Sequence, residues 1–499
     1  MFGCLAVVLI AVMATAQDAL WYRIDRGSLR QLVAYATLEP TSEQALEARQ
    51  QAALLLGDAP ASSVDGLELI APLVPWLTGP LSSSVSGLNS VQREAIAPWT
   101  QGLANRRLKG YGATSIEQLR ALPVEQVDLA RGLLLEQWGS TAEALERISA
   151  YEGLLDWMAL EVLAQVGRGA DGPTLILAIN QLLFDQMHIR FPPHKLAESG
   201  IDAFTSLPLV VDSRRGVCLG VSCLYLCLAQ RLELPLEIVT PPGHIVLRHR
   251  VGDRLITIET TAGGIDLPEE TYLSVNTRCL HRRNIREVLG LALCNEAAAR
   301  WGQGDLPAAV ALYRRAEVYM PQDPFVAQFL GASLMGVGQG REGRRWLKVA
   351  ADHPDRDQVH PLPLAADLLL GRADADAIAA VFAPTDSTAA SLETQRQRLQ
   401  EVVRRCPRFR IGWMSLALTQ LQLHRPREGI EALERLRQLD PDDPTVAHHL
   451  AALYTQRHDL PRAWQELERA QAITARHGHD PRALRQLHTQ LQQLSPRQL

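Results

Sequence analysis

The sequence predicts a mostly α-helical protein with a small α+β domain in its middle and helical repeats towards its C-terminus. Leu and Ala dominate long stretches, and aromatic residues make up only 5% of the chain, a composition that favours helices over a β-sandwich or barrel. Two short segments of alternating polarity lie on either side of residue 252, which indicates strands. Beyond residue 287 a 34-residue period recurs, the length of a repeated helix-turn-helix unit.

The bulk composition excludes several classes of protein. The 499 residues suggest roughly three structural units, and 47% hydrophobic with 21% charged residues is typical of a globular protein. The net charge is only −5 and the basic residues are scattered, so we expect no nucleic-acid partner. No apolar run approaches the ~20 residues of a spanning helix, so we expect no integral membrane segment. Seven cysteines are too few and too clustered to form a disulfide scaffold in a chain of this length.

The N-terminal region divides into two parts. The apolar run Leu5–Met13 ends in the small-residue site Ala14–Ala16, so residues 1–16 are expected to be a signal peptide although they lack a positively charged start. Export to the periplasm or out of the cell follows from this interpretation. The alternative is a buried helix in a cytoplasmic protein. Residues 17–154 predict a helical region, broken by Gly/Ser/Pro-rich stretches, that packs on the next domain.

A β-hairpin is predicted in the central domain. The alternating segments His244–Arg250 and Leu255–Ile258 flank a turn at Gly252-Asp253. With a two-residue turn there, Leu247 faces Ile258 across the two strands. The same register places the apolar side chains of both strands on one face of the hairpin.

The hairpin register brings a histidine and a carboxylate together. Glu259 follows the second strand and lies diagonal to His244, within reach of its ring. Upstream, Cys218 precedes the apolar run Leu219–Leu232, which predicts a buried helix whose first turn favours a thiolate. Cysteine, histidine and carboxylate form the nucleophile, base and orienter of thiol acyl transfer. His244 would take the thiol proton and Glu259 would hold the imidazole ring.

Further candidate site residues lie close to this triad in the sequence. The backbone N–H of Cys218 is one candidate oxyanion donor, and Asn180 and Gln181 on the preceding helix are candidates for the second. Arg214 and Arg215 could bind an acidic group of a substrate, and the alternative for both is a solvated or carboxylate-paired role.

The C-terminal part shows the 34-residue period at small residues. Small side chains let the two helices of a unit approach closely, and a proline after the second helix lets the chain turn. Residues 287–357 predict repeats 1 and 2, and residues 410–499 predict repeats 3 and 4 with a closing helix near 481–494. Residues 358–409 fit less well and predict a degenerate repeat or linker. The small residues recur as Ala297 and Gly331, Ala309 and Gly343, and Ala316 and Ala350.

These repeats resemble the tetratricopeptide repeat family over about 200 residues. The resemblance implies a concave surface that docks a protein or peptide partner.

The central domain, predicted at 155–286, resembles the transglutaminase-like superfamily. It is most similar to the bacterial branch in which such a domain precedes tetratricopeptide repeats. The resemblance implies a papain-like α+β core with Cys218, His244 and Glu259 as the triad. The superfamily usually has Asp at the third position, and this branch often replaces the cysteine. The matching stretches are Asp212–Gly220, Arg231–Pro235, Pro242–His244 and Glu259–Gly264.

Two functions follow from these predictions. The first is a transglutaminase-like thiol enzyme that hydrolyses or transfers a peptide or amide acyl group, with the repeats docking a protein partner. The second is a non-catalytic adaptor or scaffold that uses the tetratricopeptide array for protein–protein interaction and in which Cys218 only packs in the core. A zinc site made of Cys218, His244 and Glu259 is a third interpretation of these residues, but it lacks the close paired ligands of zinc sequences. We therefore predict no metal and no cofactor.

Overall fold

The computed structural model describes residues 19–57, 67–71, 73–78, 87–192, 201–383, 385 and 388–496. The expected signal peptide, residues 1–16, lies outside the described residues. The predicted fold class is confirmed, because helices dominate and one small antiparallel sheet lies in the middle of the chain.

The helices before the sheet form the N-terminal region and one face of the central domain. Several begin with a Ser, Thr, Asp or Asn side chain that accepts a hydrogen bond from a first-turn N–H, as N-cap residues do. The helices are α1 Leu29–Leu38, α2 Glu43–Leu56, α3 Leu67–Ile70, α4 Leu73–Thr78, α5 Ser90–Thr100, α6 Ile116–Arg120, α7 Leu129–Trp138, α8 Ala142–Val166, α9 Gly172–Asn180, α10 Leu207–Ser213 and α11 Cys218–Arg231.

Helix α8 ties the N-terminal region to the central domain. It runs unbroken for 25 residues, and the predicted boundary between residues 154 and 155 falls inside it. The Asp156 carboxylate on α8 lies 2.8 Å from the guanidinium of Arg231 at the end of α11, and both side chains are almost fully buried. Because each buried charge needs the other as its partner, this pair fixes α11 against α8.

The sheet has four antiparallel strands in the order β3-β2-β1-β4. The predicted hairpin is formed by β2 and β3, and its register is confirmed, since Leu247 pairs with Ile258. Strands β1 and β4 were not predicted from the sequence. The strands are β1 Glu237–Thr240, β2 Val246–Val251, β3 Arg254–Ile258 and β4 His281–Arg283.

The C-terminal part consists of paired helices as predicted. The second helices of the first two pairs start 34 residues apart, at Leu306 and Gly340. The small residues allow the expected close approach, since a Cβ atom on Gly331 would lie 2.9 Å from the carbonyl oxygen of Gly343. The paired helices are α12 Ile285–Gly302, α13 Leu306–Tyr319, α14 Pro324–Gly336, α15 Gly340–Asp352, α19 Arg410–Gln422, α20 Pro426–Leu439, α21 Pro444–Gln456 and α22 Leu460–Ala475.

The less regular stretch between the pairs is also helical. Two of its helices have only six and seven residues, too short to form a full repeat. A closing helix follows the last pair near the predicted position. These helices are α16 Leu364–Leu369, α17 Ala375–Val381, α18 Ala389–Arg405 and the closing helix α23 Arg482–Leu494. Among the described residues, no helix has both the length and the apolar composition needed to cross a membrane.

The first two repeats share a core with the N-terminal region and the central domain. One continuous apolar cluster extends from Trp21 to Leu334. A salt bridge adds to this contact, since Arg315 on α13 pairs with Glu136 on α7.

The last two repeats have a separate apolar core, and a segment of the central domain packs against it. Val275, from the connection between β3 and β4, is buried in that core. Next to it, the ring nitrogen Nε2 of His479 lies 2.9 Å from the carbonyl oxygen of Ser274. Arg485 on α23 forms a salt bridge of 3.1 Å with Glu270. The connection Pro268–Thr277 therefore links the central domain to the end of the repeat array.

Candidate functional site

Cys218 is the first residue of helix α11, as predicted. The residue before it, Val217, offers no side-chain acceptor to the N–H groups of the first turn. Those groups and the positive end of the helix dipole are therefore available to an anion at this end. Gly220 lets the helix start pack tightly, since a Cβ atom there would lie 2.2 Å from the carbonyl oxygen of Phe204. The Cys218 side chain is partly exposed.

The hairpin supplies the second and third side chains. Atom Nε2 of His244 lies 2.8 Å from Oε2 of Glu259, so the contact predicted from the register is present. The thiol of Cys218 lies near enough to the His244 ring to influence its pKa. The structure thus brings the three residues together, with a hydrogen bond between His244 and Glu259.

Three further donors hold Glu259, whose side chain is only 5% exposed. Its Oε1 accepts hydrogen bonds from the backbone N–H and the hydroxyl of Thr261. Its Oε2, which faces His244, also accepts one from the hydroxyl of Tyr272 at 2.9 Å. Carboxylate oxygens that accept several hydrogen bonds stay ionised. Glu259 is therefore fixed in position and in charge.

The titration behaviour of the pair follows from these contacts. The nearby thiol of Cys218, and next the hydrogen bond with Glu259, raise the pKa of His244 to about 10. Burial alone would raise the pKa of Glu259, but the hydrogen bonds from His244 and Thr261 outweigh it and lower the value to about 2. At neutral pH the imidazole is therefore protonated and the carboxylate ionised. An imidazolium beside a cysteine is poised to donate a proton to a leaving group.

Asn180 and Gln181, the candidates for the second oxyanion donor, have other partners. The amide nitrogen of Asn180 donates to the carbonyl oxygen of Gly264, and its oxygen accepts from the hydroxyl of Tyr225, both at 3.1 Å. Asn180 therefore holds the loop that follows Glu259. Gln181 is exposed and its side-chain oxygen accepts a hydrogen bond from Gln165.

Arg214 and Arg215, the candidate substrate-binding residues, differ in their surroundings. Arg214 is 5% exposed and its guanidinium donates to the carbonyl oxygen of Trp76 in the N-terminal region. That contact is internal, so Arg214 serves packing between the two regions. Arg215 is only partly buried. Within the part of the chain that the structure describes, its side chain forms no salt bridge.

A cavity of about 290 Å³ is lined by residues that neighbour the triad in the chain. Gly216, two residues before Cys218, lies on its wall, as do Thr260 and Thr261, which directly follow Glu259. The wall also includes the charged Asp185 and Arg190. A cavity of this size has room for one side chain of a peptide.

Tyr272 is the main site residue that the sequence reasoning missed. Besides its hydrogen bond to Glu259, its ring stacks on the His244 ring with centroids 6.1 Å apart. The residue lies 13 positions after Glu259, in a connection without regular alternation. No local signal in the sequence indicates that it turns back to the triad.

Comparisons with known proteins agree with this geometry. A family model described as the transglutaminase-like superfamily matches residues 149–286. The match includes Cys218, His244 and Glu259. No curated protein is significantly similar to the chain.

Two similar solved structures each cover about two fifths of the chain. TTC0263, a thermophilic TPR protein in Thermus thermophilus, is 18% identical, covers 40% of this chain and 98% of its own, and has a TM-score of 0.22. MamA from Desulfovibrio magneticus is 16% identical, with coverages of 37% and 94% and a TM-score of 0.19. At such TM-scores the likeness carries no argument. Residues 149–286 are thus a domain of the transglutaminase-like superfamily, within a chain that continues as paired helices.

Proposed function

We propose that this protein is a thiol acyl-transfer enzyme that acts on a peptide or amide through Cys218, His244 and Glu259. One observation carries the proposal. The side chains of His244 and Glu259 are joined by a hydrogen bond of 2.8 Å beside the Cys218 thiol, which lies at a helix N-terminus, and three donors besides the imidazole hold the carboxylate. This is the arrangement by which a cysteine, a base and an orienting group form an acyl-enzyme.

The first half-reaction uses each residue in one role. The Cys218 sulfur, having given its proton to His244, attacks the carbonyl carbon of the substrate and a C–S bond forms. The developing oxyanion accepts a hydrogen bond from the backbone N–H of Cys218. The tetrahedral intermediate then collapses, the C–N bond breaks, and His244 gives its proton to the departing amine. Glu259 keeps the imidazole oriented and stabilises its positive charge.

The second half-reaction decides between hydrolysis and transfer. Water or a primary amine gives a proton to His244 and attacks the thioester carbonyl. The C–S bond breaks and the proton returns to the Cys218 sulfur. Both outcomes use the same three side chains. The nucleophile that enters the site sets the class of reaction.

The repeats would present a protein substrate to this site. Their paired helices are the fold that forms extended concave docking surfaces. The last two repeats also contact the connection Pro268–Thr277, which carries Tyr272 next to the triad. A protein that binds these repeats would therefore bind helices that also contact the segment carrying Tyr272.

An activated ester tests the proposal without knowledge of the natural substrate. The full chain is mixed with p-nitrophenyl acetate, and the burst of p-nitrophenol is followed with mass spectrometry of the acetylated peptide. We expect a burst of about one equivalent and a thioester at Cys218, both lost in Cys218→Ala and kept in the matched control Cys223→Ala. A burst of the same size in the wild type and Cys218→Ala would overturn the proposal and leave the non-catalytic adaptor.

Casein with a fluorescent primary amine then separates the two reaction classes. Incorporation of the amine that depends on Cys218 identifies a transferase. New peptide ends without incorporation identify a hydrolase.

A further inference from the structure

A second cluster of reactive side chains lies on the far edge of the sheet from the triad. Strand β4 is the edge strand opposite β3, and Glu259 directly follows β3. The segment that leads into β4 pairs with the chain that follows helix α15. Thr277 bridges to Gln358 in antiparallel fashion, and the N–H of Arg278 donates to the carbonyl oxygen of Asp357 at 2.9 Å.

This pairing brings four metal-binding side chains to one place. They come as two pairs: Cys279 and His281 lie just before and at the start of β4, and Asp355 and Asp357 lie in the turn that follows α15. Ligand atoms of His281, Asp355 and Asp357 lie within 4.8 Å of one another. The sulfur of Cys279 lies 2.8 Å from Oδ1 of Asp357.

The two carboxylates lack a permanent positive partner. In the described part of the chain, the only salt bridge to either of them is from His281 to Asp357, at 2.7 Å, and it is charged only if the imidazole is protonated. The nearby guanidinium of Arg278 donates instead to the carbonyl oxygen of Arg356. Asp355 accepts from the amide of Gln358 and from the N–H of Asp357. A divalent cation would supply the missing positive charge.

We infer that His281, Asp355 and Asp357 bind a divalent transition-metal ion of the zinc class, with Cys279 placed to join them. The inference rests on the juxtaposition of imidazole, carboxylate and thiol donors from two segments that are more than 70 residues apart. Imidazole and thiolate favour Zn²⁺ over Mg²⁺ or Ca²⁺, which prefer oxygen ligands alone. The side chains are only partly buried, so water can complete the coordination.

A metal ion here would have a structural consequence. Strand β4 belongs to the central domain, whereas Asp355 and Asp357 follow the second repeat. The ion would therefore link the repeat array to the sheet. This role is independent of the proposed chemistry at Cys218.

Zinc binding to the full chain tests the inference. The purified protein is stripped with EDTA, dialysed, and titrated calorimetrically with ZnCl₂ alone, and the metal content is then measured by mass spectrometry. We expect one Zn²⁺ per chain and a higher Tm in its presence. Affinity should fall at least tenfold in His281→Gln and in Asp357→Asn, and should not change in His477→Ala, a control at an exposed histidine.

A further variant separates this site from the triad. Zinc binding should be retained in Cys218→Ala. Loss of binding in Cys218→Ala with retention in His281→Gln would place the ion at the triad and overturn the inference, as would equal affinity in the wild type and in both site variants. Circular dichroism of each metal-free variant checks that it is folded. A loss of zinc affinity in a folded variant is then due to the loss of a metal ligand.

Cys279→Ser changes one exposed side chain and provides a milder variant. We expect it to lower the zinc affinity less than His281→Gln.

Discussion

Helix α11 holds the same side chain in two environments. At its first turn, Cys218 is partly exposed and lies near His244, whose pKa it raises. Further along the helix, Cys223 and Cys227 are fully buried, each 0% exposed. Burial raises the pKa of Cys223 to about 12 and raises that of Cys227 well above its usual range. The buried thiols therefore stay protonated and inert.

The comparison shows what an acyl-transfer site requires beyond a cysteine. All three thiols belong to one helix and share its core. Only the first has an end-of-helix position, a histidine partner and a neighbouring cavity. Turnover should therefore depend on Cys218 alone, and stability should depend on Cys223 and Cys227.

The largest effect is expected from removing the nucleophile. Cys218→Ala should lower the rate of ester or amide turnover by about a thousandfold or more, because no other group on the helix forms the acyl-enzyme. Cys223→Ala serves as the matched control and should keep the wild-type rate. Steady-state turnover of p-nitrophenyl acetate measures both. Equal losses of turnover in the two variants would show that Cys218 has no special role in the chemistry.

When stability is measured instead of turnover, we expect the larger effect at position 223 and the smaller one at position 218. In Cys223→Ser a hydroxyl is buried in an apolar core, which costs about 1–3 kcal/mol of unfolding free energy. Cys218→Ser places the hydroxyl at a partly exposed helix start and should change the unfolding free energy by less than about 0.5 kcal/mol. Urea denaturation followed by circular dichroism compares them. A larger loss at position 218 would contradict the packing described for this helix.

Glu259→Gln tests how much the carboxylate contributes to the pair. We expect about a tenfold loss of turnover, since a hydrogen bond to a charged group is replaced by a neutral one. The pKa of His244 should fall from its raised value, so the alkaline limit of activity should move to lower pH. Histidine NMR titration and the pH profile of turnover measure the two effects. An unchanged profile would show that Glu259 does not act on the imidazole.

The same pair makes a pH-dependent contribution to stability. Because the folded-state pKa of His244 is raised to about 10 from a reference near 6.5, its stabilisation is complete below about pH 6.5. It is lost as pH rises through 10. Glu259, with its pKa lowered to about 2 from a reference of 4.5, loses its contribution as pH falls from about 4.5 through 2. The decline of stability from pH 6.5 to 10 should therefore be shallower in Glu259→Gln, as measured by urea unfolding.

The smallest effect is expected from Tyr272→Phe. The change removes one of the donors to Glu259 and keeps the ring that stacks on His244, so turnover should fall about threefold. The residual rate should show the same shift of the pH profile as Glu259→Gln, but weaker. Turnover assays over pH 5–10 make the comparison. A loss of turnover as large as that of Glu259→Gln would show that the tyrosine does more than hold the carboxylate.

Local patterns in the sequence were enough to predict much of the fold and the candidate triad. The alternating segments and the two-residue turn define the β2–β3 register, and that register places Glu259 beside His244. A long apolar run predicts the helix that begins at Cys218. The 34-residue period predicts the helix pairs. Each of these features depends on residues that are close in the sequence or related by a fixed spacing.

Local sequence patterns could not predict contacts between residues that are far apart in the chain. Strand β4 has three polar residues and becomes a strand only by pairing with β1. Arg214 is buried because Trp76, 138 residues away, accepts its hydrogen bond. Asn180 holds Gly264 across 84 residues, so its role follows from packing. The cluster at His281 joins two segments whose short Cys-x-His and Asp-x-Asp patterns carry little weight separately.

The pH dependence of alkylation at Cys218 tests the central claim most directly. The wild type and His244→Ala are treated with iodoacetamide from pH 5 to 9, and each cysteine is followed by peptide mass spectrometry. Fast labelling of Cys218 well below pH 8, slowed at least tenfold in His244→Ala while Cys223 and Cys227 stay unlabelled, is the predicted result. Labelling of Cys218 that is no faster than that of Cys223 and Cys227, and is indifferent to His244, would contradict an activated thiol–imidazole pair.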